Sequence, residues 1–432
     1  MEPEGGSLSP AREQKGIPMD RALQQYILQH RHDDVRELML GGADATGVDK
    51  RAAAVQIAGW QIAGHKLPLW ARTEGIIFPE HLALEQCSSQ RTAAYKATLL
   101  PPADTALTMA DLTGGFGVDS AMMMRGREGG RLLFVEQDAE LCRLAEHNLP
   151  LLGVKNATII HARAEEALEQ LPHVDLLFMD PARRDAHGGR TVALADCSPN
   201  AAQLMPQLLE KARFVLLKLS PMLDLTQAVR QLQGRVTQVH VVGVDGECKE
   251  LLVMAEAGAS GDGECVIHCV NLGRRNTHFA FTRRQELAAT CDCAQQLGSF
   301  LYEPDATVRK AAAFRSVALQ FGLKPLHPNS HLYTADTLLD DFPGRAFGVV
   351  AVCPATKADV QRLLGPKPAA NLTVRNFPLT TDALRKKLGL RDGGTSYLFA
   401  TTLAPQKPCL VLCEKTAPTA AGTGLHSYGM FF

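Results

Sequence analysis

The sequence predicts an α/β protein with a doubly wound, largely parallel sheet, preceded by a helical region and followed by a smaller α+β module. Three observations carry this. Between residues 98 and 258, apolar runs of strand length alternate with helical patterns, as a sheet with crossover helices requires. Residues 109–119 read Met-Ala-Asp-Leu-Thr-Gly-Gly-Phe-Gly-Val-Asp, an apolar strand running into a glycine turn that opens a helix. Outside that region the pattern changes: helical periodicity precedes it at 22–40 and 52–62, and short strands with two helices follow residue 344.

Taken in order, the first 97 residues read as helical, with an aromatic and proline-rich stretch at 67–79. The first strand of the sheet ends at Asp111. A second strand at 131–135 runs into Glu136, a third covers 157–160, a fourth 174–179 and a fifth 214–219, and 236–244 with 250–255 supply a closing pair. A Gly-rich break at 258–263 ends this domain. A short strand at 277–282 follows; 299–322 pairs an extended piece with a helix, and 325–343 reads as loop. Strands at 345–353, 371–376, 396–403 and 409–414, with helices at 357–364 and 381–388, make a small α/β module. The Ala/Thr/Gly tail after Thr416 is expected to fray.

With 432 residues, 46% of them hydrophobic, the chain is expected to build two to four domains with real cores. Its apolar runs fall short of the roughly 18 residues of a membrane span, and the first sixteen residues are polar, so no membrane partner and a cytoplasmic location are expected. The eleven cysteines are scattered, which predicts reduced thiols. Cys291 with Cys293, and Cys265 with Cys269, lack the paired Cys-x2-Cys spacing of zinc knuckles, and no metal is predicted. Charge is uneven: residues 300–432 hold 15 Lys+Arg against 9 Asp+Glu, and the rest of the chain 30 against 37. Such asymmetry suits a polyanion-binding module joined to an acidic catalytic one.

The glycine turn lets backbone N–H groups and a helix N-terminus approach a polar ligand, which points to a nucleotide-like cofactor. Glu136 lies about twenty residues after the last glycine, where dinucleotide folds place the acid that bonds ribose hydroxyls. The third strand leads to His161-Ala162-Arg163-Ala164-Glu165, and the fourth ends in Asp180-Pro181-Ala182-Arg183-Arg184. Nicotinamide enzymes have no reason to place Asp-Pro-x-Arg at the tip of that strand.

The series formed by the Asp111 turn, Glu136 and Asp180-Pro181 resembles class I (Rossmann-like) S-adenosylmethionine (SAM) dependent methyltransferases. The whole chain is similar to the bacterial THUMP-like domain-containing methyltransferases. That likeness is carried by Leu84-Glu85-Gln86-Cys87-Ser88-Ser89 with Thr92-Ala93-Ala94-Tyr95-Lys96, by the Asp111 turn and Asp180-Pro181-Ala182-Arg183-Arg184, by Leu217-Lys218-Leu219-Ser220-Pro221, by Leu326-His327-Pro328-Asn329-Ser330-His331, and by Arg375-Asn376-Phe377-Pro378. It implies a helical N-terminal region over 1–97, a methyltransferase core over 98–258, a ferredoxin-like segment over 275–344 and a THUMP-like domain over 345–418. THUMP domains in other enzymes bind tRNA or related RNA. The resemblance therefore implies SAM-dependent methylation of a base in structured RNA, tRNA or rRNA. The turn from Asp111 to Asp119 also echoes a small-subunit rRNA guanine-N2 methyltransferase.

By the same resemblance, Asp111 would accept a bond from the cofactor's amino group, Thr113, Gly115 and Gly117 would admit its methionine end, and Glu136 would bond its ribose. Arg163 stands where many relatives carry an acid for adenine; it has donors only, so Glu165 or the Ala164 backbone is the substitute. Glu85 and Ser88, at a helix start, are placed over the methionine carboxylate, with simple capping as the rival. Asp180 and Pro181 would hold the methyl acceptor. Arg183, in place of the aromatic of base N-methyltransferases, would stack on a base or clamp a phosphate. Arg184, and Lys218 at the end of the fifth strand, are substrate candidates, and Arg375, Arg385, Lys386 and Lys387 form the basic face expected to meet phosphates. The fourth strand is not followed by the Pro-Cys or Thr-Cys of carbon-5 methylation. Two other readings stay open: methylation of a small molecule or protein, and a non-catalytic RNA-binding protein with a vestigial cofactor fold.

Overall fold

The N-terminal region is helical, with α1 (Arg21–His30), α2 (Val35–Leu40), α3 (Lys50–Lys66), α4 (Pro68–Arg72), α5 (His81–Gln86) and α6 (Gln90–Thr98), three of them started by a short polar side chain. Asp20, Asp49 and Ser89 each accept a backbone N–H at the head of α1, α3 and α6. The extended stretch at residues 76–78 is held from both sides. Gln56 of α3 accepts from Phe78 N and donates to Phe78 O, while Asn148 does the same for Ile77. The computed structural model describes residues 20–40, 47–183, 194–232, 235–259 and 264–416. Arg184, the 260–263 part of the Gly-rich break and the tail beyond Thr416 lie outside them, and of Arg183 only the backbone is described.

The described chain divides into two compact units, one reaching Asp180 and including 210–213, the other containing 181–209 and everything from Phe214. In the first unit, β1 (Thr108–Asp111), β2 (Arg131–Glu136), β3 (Ala157–His161) and β4 (Val174–Met179) pair in parallel in the order β4-β1-β2-β3. The crossovers are α7 (Val118–Met124), α8 (Ala139–Leu151) and α9 (Ala164–Gln170). β2 is buried along almost its whole length, as a strand covered by helices on both faces must be. The register places Asp111 opposite Phe134 and Phe178, so the acids closing β1, β2 and β4 gather at the carboxyl ends of the strands.

In the second unit β5 (Ala182–Arg183) pairs with β6 (Cys197–Ser198), and α10 (Ala201–Lys211) precedes β7 (Ala212–Leu219). After α11 (Leu225–Gln231), β8 (Val236–Val244) and β9 (Glu247–Glu256) form a hairpin whose Asp245-Gly246 turn has positive φ at both positions, as a tight two-residue turn demands. β10 (Val266–Leu272) and β11 (Thr277–Thr282) continue this sheet in the order β11-β10-β8-β9-β7. Pairing beyond the Gly-rich break was not expected from the sequence, because that break reads as a domain end and Val266 to Leu272 has no clean alternation.

Three histidines stand side by side across β8, β10 and β11. His240 stacks on His268 at 4.5 Å and His268 on His278 at 5.3 Å, with His268 Nδ1 and His278 Nε2 3.1 Å apart. Burial, reinforced by neighbouring imidazoles, pushes His268 down to about 4 and lowers His240, and burial lowers His278 as well. The unfolded chain, with imidazoles near 6.5, therefore binds protons first as the pH falls, and stability is lost between about 6.5 and 4. Urea unfolding at pH 7.5 and 5.0 is expected to show about 1–3 kcal/mol more acid destabilisation in the wild type than in His268→Phe, which keeps the stack without the charge. Equal acid sensitivity of the two proteins would remove the stack as the cause.

The rest of the second unit begins with α12 (Arg283–Ala288), β12 (Phe300–Pro304), α13 (Ala306–Ala311), α14 (Phe314–Gln320), β13 (Lys324–Pro325) and β14 (Tyr333–Ala335). It continues through β15 (Gly344–Cys353), α15 (Lys357–Leu364), β16 (Asn371–Val374), α16 (Thr381–Leu388), β17 (Ser396–Leu403) and β18 (Lys407–Lys415). Its seven-stranded sheet has the order β13-β14-β12-β15-β18-β17-β16 and is antiparallel except for β16 with β17. The stretch at 325–343 is thus not wholly loop, since Tyr333–Ala335 pairs with β12; three residues are too few to show an alternation. All eleven cysteines are free thiols. Among the described residues no helix is long and apolar enough to cross a membrane, and no group of three or more His, Cys, Asp or Glu could hold a metal.

Candidate functional site

The glycine turn is fastened to β2 by two successive N–H groups. Gly114 donates to Val135 O at 2.9 Å and Gly115 to Glu136 Oε2 at 2.7 Å. Gly115 and Gly117 take φ of +55° and +78°, a region in which a side chain is strained. Gly114 is needed for a different reason that the sequence did not reveal: a Cβ there would come within 2.2 Å of the buried Phe134 ring. Gly114→Ala is expected to cost about 1–3 kcal/mol by overpacking. Chemical denaturation reads this directly, and an unchanged midpoint would mean that the turn tolerates a lift off β2.

Both strand-end acids of this turn are buried, Glu136 held by main chain and Asp111 by main chain and a serine hydroxyl. Glu136 accepts from Gly115 N and, through Oε1, from Asp138 N at 2.8 Å. Asp111, 1% exposed, accepts from Thr113 N at 2.9 Å and from the Ser120 hydroxyl at 2.5 Å. Burial pushes Asp111 up to about 7; the Ser120 and Thr113 bonds oppose this, and the Asp119 and Asp180 carboxylates add to it. Each carboxylate oxygen has two lone pairs, so the one bond each accepts here leaves acceptor capacity for a ligand. Thr113, standing where a first glycine is commonest, uses its hydroxyl to accept from Asp180 N at 2.7 Å. One residue therefore links Asp111 to the end of β4.

Of the other residues singled out by sequence, Ala164 begins α9 as a buried residue with no side chain capping that helix. Arg163 is exposed and Glu165 half-buried, and the two lie 3.8 Å apart. Ser88 donates to Asp119 Oδ2 at 2.8 Å and accepts from Lys96 Nζ at 3.2 Å, and Lys96 also lies 3.0 Å from Asp119 Oδ1. The fully buried Lys96 ammonium is a member of this site that the sequence did not single out, since its only signal there was a place in a family-like segment. Glu85 is 60% exposed and faces His81 at 3.7 Å, apart from the Ser88 group.

In the second unit Pro181 is buried, and Lys218 is half-buried on β7 opposite Leu252. Arg375 is not simply presented to solvent: its guanidinium bonds the buried Glu303 at 2.8 Å. Arg385 pairs with Asp392 at 2.9 Å, whereas Lys386 and Lys387 are exposed on α16, which Leu384 and Leu388 anchor.

A parallel sheet whose first strand runs into a glycine turn, with acids closing β1, β2 and β4, defines the class I, Rossmann-like methyltransferase fold. A "putative methyltransferase" from Porphyromonas gingivalis W83 is similar to this chain at 33% identity, over 92% of this chain and 98% of its own, with a TM-score of 0.81. Residues 300–343 match a ferredoxin-like domain and residues 344–415 a THUMP domain-like family. The chain belongs to the THUMP-like domain-containing methyltransferase family. Precorrin-6y C5,15-methyltransferase from Geobacter metallireducens GS-15 is 17% identical over 45% of this chain and 97% of its own, with a TM-score of 0.28. An rRNA methylase from Streptococcus thermophilus is 14% identical over 38% and 94%, also with a TM-score of 0.28. Similarity at that level identifies no substrate. No curated protein matches the chain.

Proposed function

We propose that this protein transfers the methyl group of SAM to a base in structured RNA, tRNA or rRNA. The observation that carries the cofactor reading is the pair of buried carboxylates, Asp111 and Glu136, each tied to the glycine turn and each with lone pairs to spare. The residues fit the group. Asp111 offers an anion to a ligand's ammonium, Glu136 offers acceptors to vicinal hydroxyls, and the Ala164 backbone with Glu165 is available to an adenine edge. Bound SAM would supply an electrophilic methyl on a sulfonium. The protein's part is then alignment of the acceptor and removal of its proton, both assigned to Asp180, with the Pro181 carbonyl as a second acceptor for an exocyclic amine.

The THUMP domain-like segment and the surplus of Lys and Arg in the same residues support RNA as the acceptor. Arg183 and Arg184 then serve the base or its phosphates, and Lys218 and the exposed Lys386 and Lys387 serve the backbone. The deciding experiment is transfer of labelled methyl from SAM to total RNA from a strain lacking the gene, with wild-type RNA and total protein as controls. Label entering only the deletion-strain RNA establishes the activity, and nuclease digestion names the base. Absence of label from RNA, with cofactor binding confirmed, would overturn the RNA assignment in favour of a small-molecule or protein acceptor.

A further inference from the structure

Three arginines converge on one buried carboxylate where the ferredoxin-like and THUMP-like segments meet. Glu303, 2% exposed on β12, accepts from Arg375 Nη2 at 2.8 Å and from Arg309 Nη1 at 3.4 Å through Oε1, and from Arg345 Nε at 3.1 Å through Oε2. The ferredoxin-like match supplies Glu303 and Arg309, and the THUMP-like match supplies Arg345 and Arg375. The cluster therefore exists only when the two are joined.

Neutralising Glu303 requires one guanidinium. Asp305, which accepts from Thr277 Oγ1 at 2.6 Å, answers a second through its proximity to Arg309 and Arg345. One positive charge is left over. Two buried polar atoms beside it also lack a partner among the described residues, Arg375 Nε and His331 Nδ1. His331 is fixed by stacking on Phe314 at 3.5 Å with φ +52°, and the charges of Arg375 and Arg309 bear on it. A staple for Glu303 alone would not need the third arginine, nor leave these polar atoms buried and unpaired. The remaining N–H groups of Arg345, 55% exposed, open the cluster to solvent.

We infer that Arg309, Arg345, Arg375 and His331 form a seat for a phosphate group, held in shape by Glu303, and that it takes a backbone or terminal phosphate of RNA. Guanidinium forks match phosphate oxygens, and three such forks with surplus positive charge select an anion. The ownership of the phosphate rests on the RNA reading above; the seat does not.

Phenylglyoxal modification of the intact wild-type protein without SAM, read by peptide mass spectrometry, tests both. Inorganic phosphate and total small RNA are each expected to slow modification of Arg345 about tenfold relative to Arg362, which is exposed on α15. Protection by neither overturns the seat. Protection by inorganic phosphate alone keeps the seat and overturns its assignment to RNA, whatever methyl transfer shows. Arg375→Lys, which retains a charge for Glu303 but not the fork, is expected to weaken small-RNA binding about tenfold and to lower the salt slope by about one, with little change in melting. Unchanged RNA affinity in the folded variant would refute the assignment independently.

Discussion

Asp111→Asn is expected to weaken SAM binding about a hundredfold while raising the melting temperature of the ligand-free protein. Both effects come from one buried charge. In the folded protein Asp111 titrates at about 7, against 3.8 for an ordinary aspartate, chiefly because it is buried. A raised folded value means that the carboxyl favours the fold below 3.8 and that this contribution is lost as the pH climbs to 7. At pH 7.5 the ionised form costs the fold free energy that asparagine would not, since its carbonyl can still accept from Thr113 N and its amide can donate to Ser120 Oγ. The gain is expected to be about 1–3 kcal/mol, or a few degrees in melting. SAM carries positive charge, so the neutral side chain loses a charge-assisted bond that the carboxylate supplies. Binding by the wild type should tighten as pH rises from 5.5 to 7, by up to tenfold per unit, because the proton must leave first; the asparagine variant should show no such slope. Calorimetric titration across that range checks the affinity and the slope together. Equal affinity in the variant would take Asp111 out of the site, and a lower melting temperature would contradict the electrostatic account.

The parts of this site legible in the sequence are those set by local chain geometry. A strand that ends in an acid advertises itself within a dozen residues: Asp111, Glu136 and Asp180 close β1, β2 and β4, and Gly115 and Gly117 lie in the turn after β1. What the sequence concealed depends on packing between distant residues. Gly114 matters because Phe134 lies beneath it, and that neighbour is fixed only once β1 and β2 pair. Lys96 looks like an ordinary helical lysine until α6 meets α7 and buries it against Asp119, twenty-three positions away. Arg375 read as part of a basic face with Arg385 to Lys387. Its partner is Glu303, seventy-two residues earlier in the chain, on a strand whose pairing with β15 also delivers Arg345. The histidine stack was invisible for the same reason, because three single histidines carry no periodic signal until β8, β10 and β11 align them.

Asp180→Ala is expected to lower methyl transfer by about a hundredfold to ten-thousandfold while leaving SAM affinity within a few-fold, and the two effects can separate. What Asp180 contributes to the turn is its backbone N–H, which donates to Thr113 Oγ1 at 2.7 Å and is kept by any non-proline residue. In the proposed mechanism its carboxylate holds the acceptor and receives its proton, and removing a positioned base of this kind costs about 10²–10⁴. The same carboxylate helps hold Asp111 up near 7. Its loss should therefore move the pH midpoint of SAM binding downward, a signature that a merely misfolded turn would not give. Asp180→Asn separates two parts of the role: retention of substantial activity would mean that the side chain acts by accepting a hydrogen bond, and activity as low as that of the alanine variant would mean that it takes the proton. Full transfer by Asp180→Ala, with the midpoint unmoved, would place the acceptor elsewhere on the protein.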